Sequence, residues 1–292
     1  MEIYNLPQDI FKDKKSMGDI IFHDYAAAVG SFKGKSILHT HAISLVIEGE
    51  KTMHFSERTV VIKNDEFHFL SSSNCIATMK LSDKQVFRSI LIFFNDKVLS
   101  DFYLKYATLI KNIKGKQKIK NEPYLSFKKD AFILHYIESL KLLFQSRLEI
   151  SNEMKLLKFE ELMLNLLEKY PEKLLSFQVS KNKEFDDLEI KKAVETNLTN
   201  NISIDELAFL CNISLSTFKR RFVKIYGTSP NKWIVQKRMQ IAKDLLHHYK
   251  EKPSEVYYKV GYENHSSFSQ SFKQTFGITP KEFQIQHLTV KR

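Results

Sequence analysis

The chain is 292 residues long, enough for two domains with separate cores, and its 43% hydrophobic and 12% aromatic content excludes a disordered protein. A formal net charge of +11 favours an anionic partner, nucleic acid ahead of a membrane surface. No apolar run reaches the roughly 20 residues that span a bilayer, the opening "MEIYNLPQDIFKDKKSMGD" has no apolar signal-peptide core, and the two cysteines form no disulfide framework, so a cytoplasmic protein with buried thiols at Cys75 and Cys211 is expected.

Residues 20–95 read as short strands. "HAISLVIEGEKTMHF" holds two β-rich runs about a turn at Gly49-Glu50-Lys51, "RTVVIKNDEFHFL" repeats the plan with Asn64-Asp65 at its turn, and "CIATMKL" and "QVFRSILIFF" follow. Short strands with polar turns imply a small antiparallel barrel or sandwich. From about residue 97 the period becomes helical. In "DAFILHYIESLKLLFQS", Ile133, Ile137, Leu140 and Phe144 share one stripe. In "NEMKLLKFEELMLNLLEKY", Leu156, Phe159, Met163 and Leu166 form another, widened by Leu157, Leu164 and Leu167. A stripe that wide must bury against more than one surface: its own barrel, a second copy of the chain, or both. The basic run "KNIKGKQKIKN", 111–121, reads as a solvated loop. Pro171 ends the second helix, and 176–187 reads as a linker. An α+β protein results, with one domain over 1–175 and an all-α domain over 185–292.

The all-α part contains a repeat. "FVKIYGTSPNKW" (222–233) returns fifty residues later as "FKQTFGITPKEF" (272–283), and "SIDELAFLCNISLSTFKRRF" (203–222) aligns with "PSEVYYKVGYENHSSFSQSF" (253–272), with one extra residue in the second copy's turn. Each copy is laid out as helix, short turn and second helix ending at a glycine, the plan of a helix-turn-helix. Local signals agree. Ser203 with Glu206 and Thr279 with Glu282 make capping boxes; Ser214 is an N-cap; Ser229-Pro230 and Thr279-Pro280 place proline just inside a helix. Gly227 and Gly277 stand where a helix takes a left-handed terminal residue.

The exposed faces carry the chemistry. With Phe218 and Phe222 buried, a residue two positions away points roughly 200° around the helix, which turns Ser216, Lys219, Arg220 and Val223 outward. Phe268 and Phe272 do the same for Ser266, Ser269 and Gln270. Ser, Lys, Arg and Gln read base edges in a major groove, while the flanking Thr217, Lys224, Ser267 and Lys273 suit phosphates, which fix register without reading sequence. Residues 185–292 hold 17 Lys/Arg against 11 Asp/Glu, and the rest of the chain holds 28 against 23, so positive charge is moderately denser here.

Residues 185–290 resemble the AraC/XylS family of bacterial transcription regulators, through "IDELAFLCNISLSTFKRRFVKIYGTSP" and "VGYENHSSFSQSFKQTFGITPKEF". The resemblance implies two helix-turn-helix motifs joined by a long helix, here Pro230 to about Tyr249. That helix would present two readers roughly 34 Å apart, one turn of DNA, to successive major grooves. It also implies a DNA-binding regulator, expected to be an activator that touches RNA polymerase. Two departures stand out: Tyr257 where the family has a small residue, and Asn212 where glycine or histidine is common. The second reading helix has no Arg or Lys before Lys273, so the first is expected to supply most guanine readout.

The same resemblance implies an N-terminal cupin-like barrel for dimerisation or control, by a small-molecule effector or a regulatory protein, and a homodimer. His39-Thr-His41 evokes the metal pair of cupin enzymes, but Leu45 and Val46 occupy the glutamate slot, and His54 and His68 fall at other spacings. No nucleophile–base set or phosphate loop is present. Neither metal nor other cofactor, and no catalytic residue, is expected. The rival readings are a non-specific architectural DNA binder and a metal-dependent cupin enzyme tethered to DNA.

Overall fold

The structure, a computed structural model, describes residues 3–10, 18–27, 32–113, 122–146, 149–177 and 187–288. The chain divides into two compact units, Met1–Met53 with Val60–Lys183 and His54–Thr59 with Glu184–Arg292. The fold is α+β.

The first unit carries β1 (Ile3–Leu6), β2 (Ile20–Ala27), β3 (Phe32–Leu38), β4 (His41–Glu48), β5 (Glu50–His54), β6 (Thr59–Ile62), β7 (Glu66–Leu70), β8 (Ser73–Lys80) and β9 (Phe87–Phe94). Helices α1 (Asp96–Lys105) and α2 (Ala107–Ile113), strand β10 (Tyr124–Lys128), and helices α3 (Ala131–Gln145), α4 (Asn152–Lys169) and α5 (Pro171–Leu175) follow. Two five-stranded sheets form, in the orders β1-β3-β8-β5-β6 and β10-β7-β4-β9-β2. Pairing is antiparallel across β2–β9, β4–β9, β4–β7, β7–β10 and β3–β8. Two pairings exceed the sequence expectation. β1 joins β3 in parallel, Ile3 opposite Lys35. β10 lies in the stretch expected to be helical and closes the edge of β7, Tyr124 opposite Leu70.

Alternation sets the core. Ile43, Leu45, Phe67, Phe69, Ile90, Ile92 and Phe94 point to one face of the second sheet, where they pack with Phe102 of α1, Ile137 of α3 and Phe159 and Met163 of α4. The intervening Ser44, His68 and Ser89 are buried on the opposite face. The α4 stripe extends one turn further toward its N-terminus than the core that covers it: Leu156 is 43% exposed and Leu157 58%, against 0% for Phe159 and Leu167. The linker expected at 176–187 begins later, because Phe177 is fully buried and packs edge-on to Phe69 and His41. Residues 178–186 of that expectation, and most of the 111–121 loop, lie outside the described residues.

The second unit is helical: α6 (Asp187–Thr196), α7 (Ile204–Leu210), α8 (Leu215–Tyr226), α9 (Pro230–His247), α10 (Pro253–Lys259), α11 (His265–Phe276) and α12 (Pro280–Leu288). Both cysteines, Cys75 and Cys211, are buried, one in each unit, and form no disulfide. Among the described residues no helix is long and apolar enough to cross a membrane.

Candidate nucleic-acid interface

Each motif is built by backbone chemistry that the sequence repeats. After α7, Asn212 takes φ +53°, the Asn212 N–H donates to the Phe209 carbonyl and the Ile213 N–H to the Ala208 carbonyl. After α10, Gly261 takes φ +80°, and the Gly261 and Tyr262 N–H groups donate to the carbonyls of Tyr258 and Tyr257. Both are Schellman closures, with the left-handed residue at the same place. Asn212 therefore fills a glycine position as one of the side chains that tolerate that conformation. The second turn then spends its extra residue, Glu263, before the next helix begins. Ser214 accepts from the Thr217 N–H at 3.2 Å and Asn264 from the Ser267 N–H at 2.8 Å, so both second helices start on a side-chain cap. Both end at a left-handed glycine, Gly227 at φ +70° and Gly277 at φ +82°.

The two expected capping boxes are present: Ser203 with Glu206 at the start of α7, and Thr279 with Glu282 at the start of α12. Ser229 makes no side-chain cap bond, and Pro230 opens α9 without one. Behind the helices the aromatic clasp also repeats. Phe222, Tyr226 and Trp233 meet with ring centroids 4.5, 5.8 and 4.4 Å apart, and Phe272, Phe276 and Phe283 at 4.7, 5.6 and 6.4 Å. Phe218, Phe222, Phe268 and Phe272 are fully buried.

On these scaffolds Ser216, Lys219 and Arg220 of α8 and Ser266 and Gln270 of α11 are exposed, while Ser269 is half-buried. The hydroxyl of Ser216 lies 3.0 Å from that of Ser214, and the Ser269 hydroxyl 3.4 Å from His265 Nδ1. Of the four flanking residues, Lys224, Ser267 and Lys273 are exposed and Thr217 is half-buried, its hydroxyl accepting from Ser214 at 2.9 Å. Lys224 is not wholly committed to solvent: its Nζ lies 3.6 Å from Asp187, which also takes a 3.0 Å bond from Arg221 Nε. Arg221 first and Lys224 second hold the Asp187 carboxyl below its ordinary range. Tyr257 is half-buried, its ring edge-on to His265 at 6.1 Å, at the start of α11.

Sequence reading passed over Arg238. It lies in mid-α9 on the stripe of Ile234 and Ala242, and it donates to three backbone carbonyls: Leu198 at 2.7 Å, Asn200 at 2.8 Å and Gly261 at 3.0 Å. The available signal was a cation at i+4 on an apolar face.

Three histidines of the first unit go to separate partners. His39 Nε2 meets Asn5 at 3.0 Å; His41, buried, meets Asp96 at 2.6 Å and accepts from the Ser72 N–H; His68 meets Tyr124. Among the described residues no three His, Cys, Asp or Glu side chains converge as metal ligands.

Residues 41–177 match the family described as ExsA N-terminal regulatory domain, and residues 207–286 match a helix-turn-helix domain family. The chain is similar to the thermoregulatory protein LcrF of Yersinia pestis, 23% identical over 82% of this chain and 88% of that protein. It is similar to the virulence regulon transcriptional activator VirF of Yersinia enterocolitica, 22% identical over the same shares. Among solved structures, ToxT of Vibrio cholerae aligns over 92% of this chain and 98% of that one, at 15% identity and a TM-score of 0.39. The doubled motif, the helix that joins its halves, the two family matches and the likeness to LcrF and VirF support an AraC/XylS-family DNA-binding transcription regulator.

Proposed function

We propose that the protein is a sequence-specific activator that inserts α8 and α11 into successive major grooves of double-stranded DNA. The observation that supports this is the equivalence of the two motifs. Positions 216 and 266, 219 and 269, and 220 and 270 occupy the same face of each second helix, polar in every case, above an aromatic clasp repeated ring for ring. A polar face on one helix is ordinary; the same face offered twice from one scaffold suits a two-groove reader.

Arg220 and Lys219 lead the base contacts, followed by Ser216, Gln270, Ser266 and Ser269. Neither Arg220 nor Lys219 pairs with a carboxylate among the described residues. Thr217, Lys224, Ser267 and Lys273 hold phosphates. Activation, and with it a contact to RNA polymerase, draws support from the likeness to VirF, described as a transcriptional activator. The first unit exerts control, as the match to a regulatory-domain family suggests, by receiving a small molecule or a protein. Leu134, Leu142 and Leu157, each more than half exposed on α3 and α4, offer an apolar surface for a homodimer. A protein acting on a bacterial chromosome works in the cytoplasm.

The test is selection of preferred sites from a random duplex library with the full-length protein at near-physiological salt. The expected result is an enriched site with two elements about one helical turn apart. A specificity ratio near one against random duplex would instead identify an architectural binder.

A further inference from the structure

The α9 helix holds its two motifs by different halves. Trp233 packs against Phe222 and Tyr226 of the first motif, while Met239, Ala242 and Leu246 join the second core with Val256, Phe268 and Phe272. Arg238 stands at the changeover, and its three hydrogen bonds divide between the motifs. Leu198 and Asn200 belong to the loop that leads from α6 into α7; Gly261 is the left-handed residue of the second turn. The guanidinium also lies over the Tyr262 ring, 5.9 Å from its centroid. A second tie runs beside it: Asn201 Nδ2 donates to Glu263, the extra residue of the second turn, at 2.7 Å. The two backbones approach so closely that a Cβ on Gly261 would stand 2.9 Å from the Thr199 carbonyl oxygen and 2.9 Å from Arg238 Cζ.

We infer that Arg238 is a positioning residue that sets the angle between α8 and α11, and hence the spacing of DNA elements the protein accepts. A rigid fork of donors bonded to three carbonyls restrains rotation as well as distance, which one lysine ammonium does not. Without the fork, a single helix about 27 Å long is the only covalent bridge between the readers. With it, their geometry exists before DNA arrives, and binding forgoes the cost of ordering them. Inserting one base pair between the elements turns the second by about 35° and moves it by about 3.4 Å, a change a fixed pair of readers does not follow. The inference rests on the reading of the protein as a two-element DNA binder.

The experiment compares full-length wild type, Arg238→Gln and Arg238→Lys. Nitroxide pairs at Val223→Cys and Gln274→Cys, both exposed, report the distance between α8 and α11 without DNA by pulsed electron resonance; Cys75 and Cys211 are buried and stay unlabelled. Gel shifts use the selected duplex, the same duplex with one or two base pairs inserted between its elements, and one with the second element scrambled. Wild type should give a narrow distance distribution and lose about 10-fold affinity or more on each insertion. Both variants should broaden the distribution, lose about 10-fold on the correctly spaced site, tolerate insertions to within about threefold, and bind the single-element duplex like wild type.

An unchanged distance and an unchanged insertion penalty overturn the inference. So does an equal loss on single-element duplex, which makes Arg238 a stability residue only. If neither variant folds, Asn201→Ala with Glu263→Ala decides the matter from the surface: the same broadening in smaller measure supports the clamp, and none overturns it. Failure to select any two-element site would sink the DNA reading while the distance measurement still judges the clamp.

Discussion

Alanine at three glycines separates the cost of a left-handed backbone from the cost of a crowded one. Gly227 and Gly277 have φ of +70° and +82°, and a Cβ at either meets nothing within 4 Å. Alanine there bears only the conformational penalty, about 1–2 kcal/mol, reduced by about 0.4–1 kcal/mol because the unfolded chain loses freedom too. The net expectation is about 1 kcal/mol each. Gly261 has φ +80°, and its Cβ would stand 2.9 Å from the Thr199 carbonyl and 2.9 Å from Arg238 Cζ. Neither neighbour can give way cheaply: one is backbone, and the other is pinned by three hydrogen bonds. Breaking one such charge-assisted bond adds about 1.5–3 kcal/mol, for a total of about 2.5–4 kcal/mol. Trp233 is the single tryptophan, so its fluorescence during urea unfolding reports on the second unit alone. Gly261→Ala no worse than Gly277→Ala would refute the close approach of turn and loop.

Arg220→Ala is expected to cost about 1–3 kcal/mol on the selected site and to relax discrimination at one base pair; an equal loss on random duplex makes Arg220 a phosphate contact. Lys224→Ala should weaken binding to every duplex and lower the slope of log affinity against log salt by about one unit. Asp187→Asn, which releases Lys224 and Arg221, should strengthen binding to all duplexes by about twofold to fivefold, read in the same titrations. Burial pulls the His68 pKa from 6.5 to about 4, against the opposing charge of Glu66. The folded protein therefore keeps His68 neutral where the unfolded chain protonates it. That contribution is whole above pH 6.5 and drains away as pH falls toward 4, by about 3 kcal/mol. Thermal unfolding of the first unit across that window should flatten in His68→Gln.

The doubled motif was legible because everything that shapes it is local. Caps, left-handed glycines and aromatic anchors act within a few residues of one another, so their spacing survives in the sequence. Asn212 looked like a departure from a family pattern until its φ of +53° showed it meeting the same backbone demand as Gly261. What escaped depends on distance along the chain. β10 finds its partner more than fifty residues back, and a short strand between helices has no period long enough to declare itself. Lys224 meets Asp187 across a stretch no helical spacing connects. Periodicity placed Leu156 on the right stripe of α4 but says nothing about where the covering core stops. Arg238 was the hardest to read, since its partners are carbonyls, which every residue carries.

The two reading helices differ in charge, and that difference divides labour. α8 carries Lys219, Arg220, Arg221 and Lys224; α11 carries only Lys273 among its serines and glutamines. Attraction to the DNA polyanion comes with release of counterions and does not depend on base sequence. In the two-groove reading that grip belongs mainly to the first helix, which also leads the base contacts, while the nearly neutral second helix adds discrimination with little general attraction. In that reading, substitutions on α11 would change the second element of the site and leave the protein's hold on the chromosome at large almost untouched.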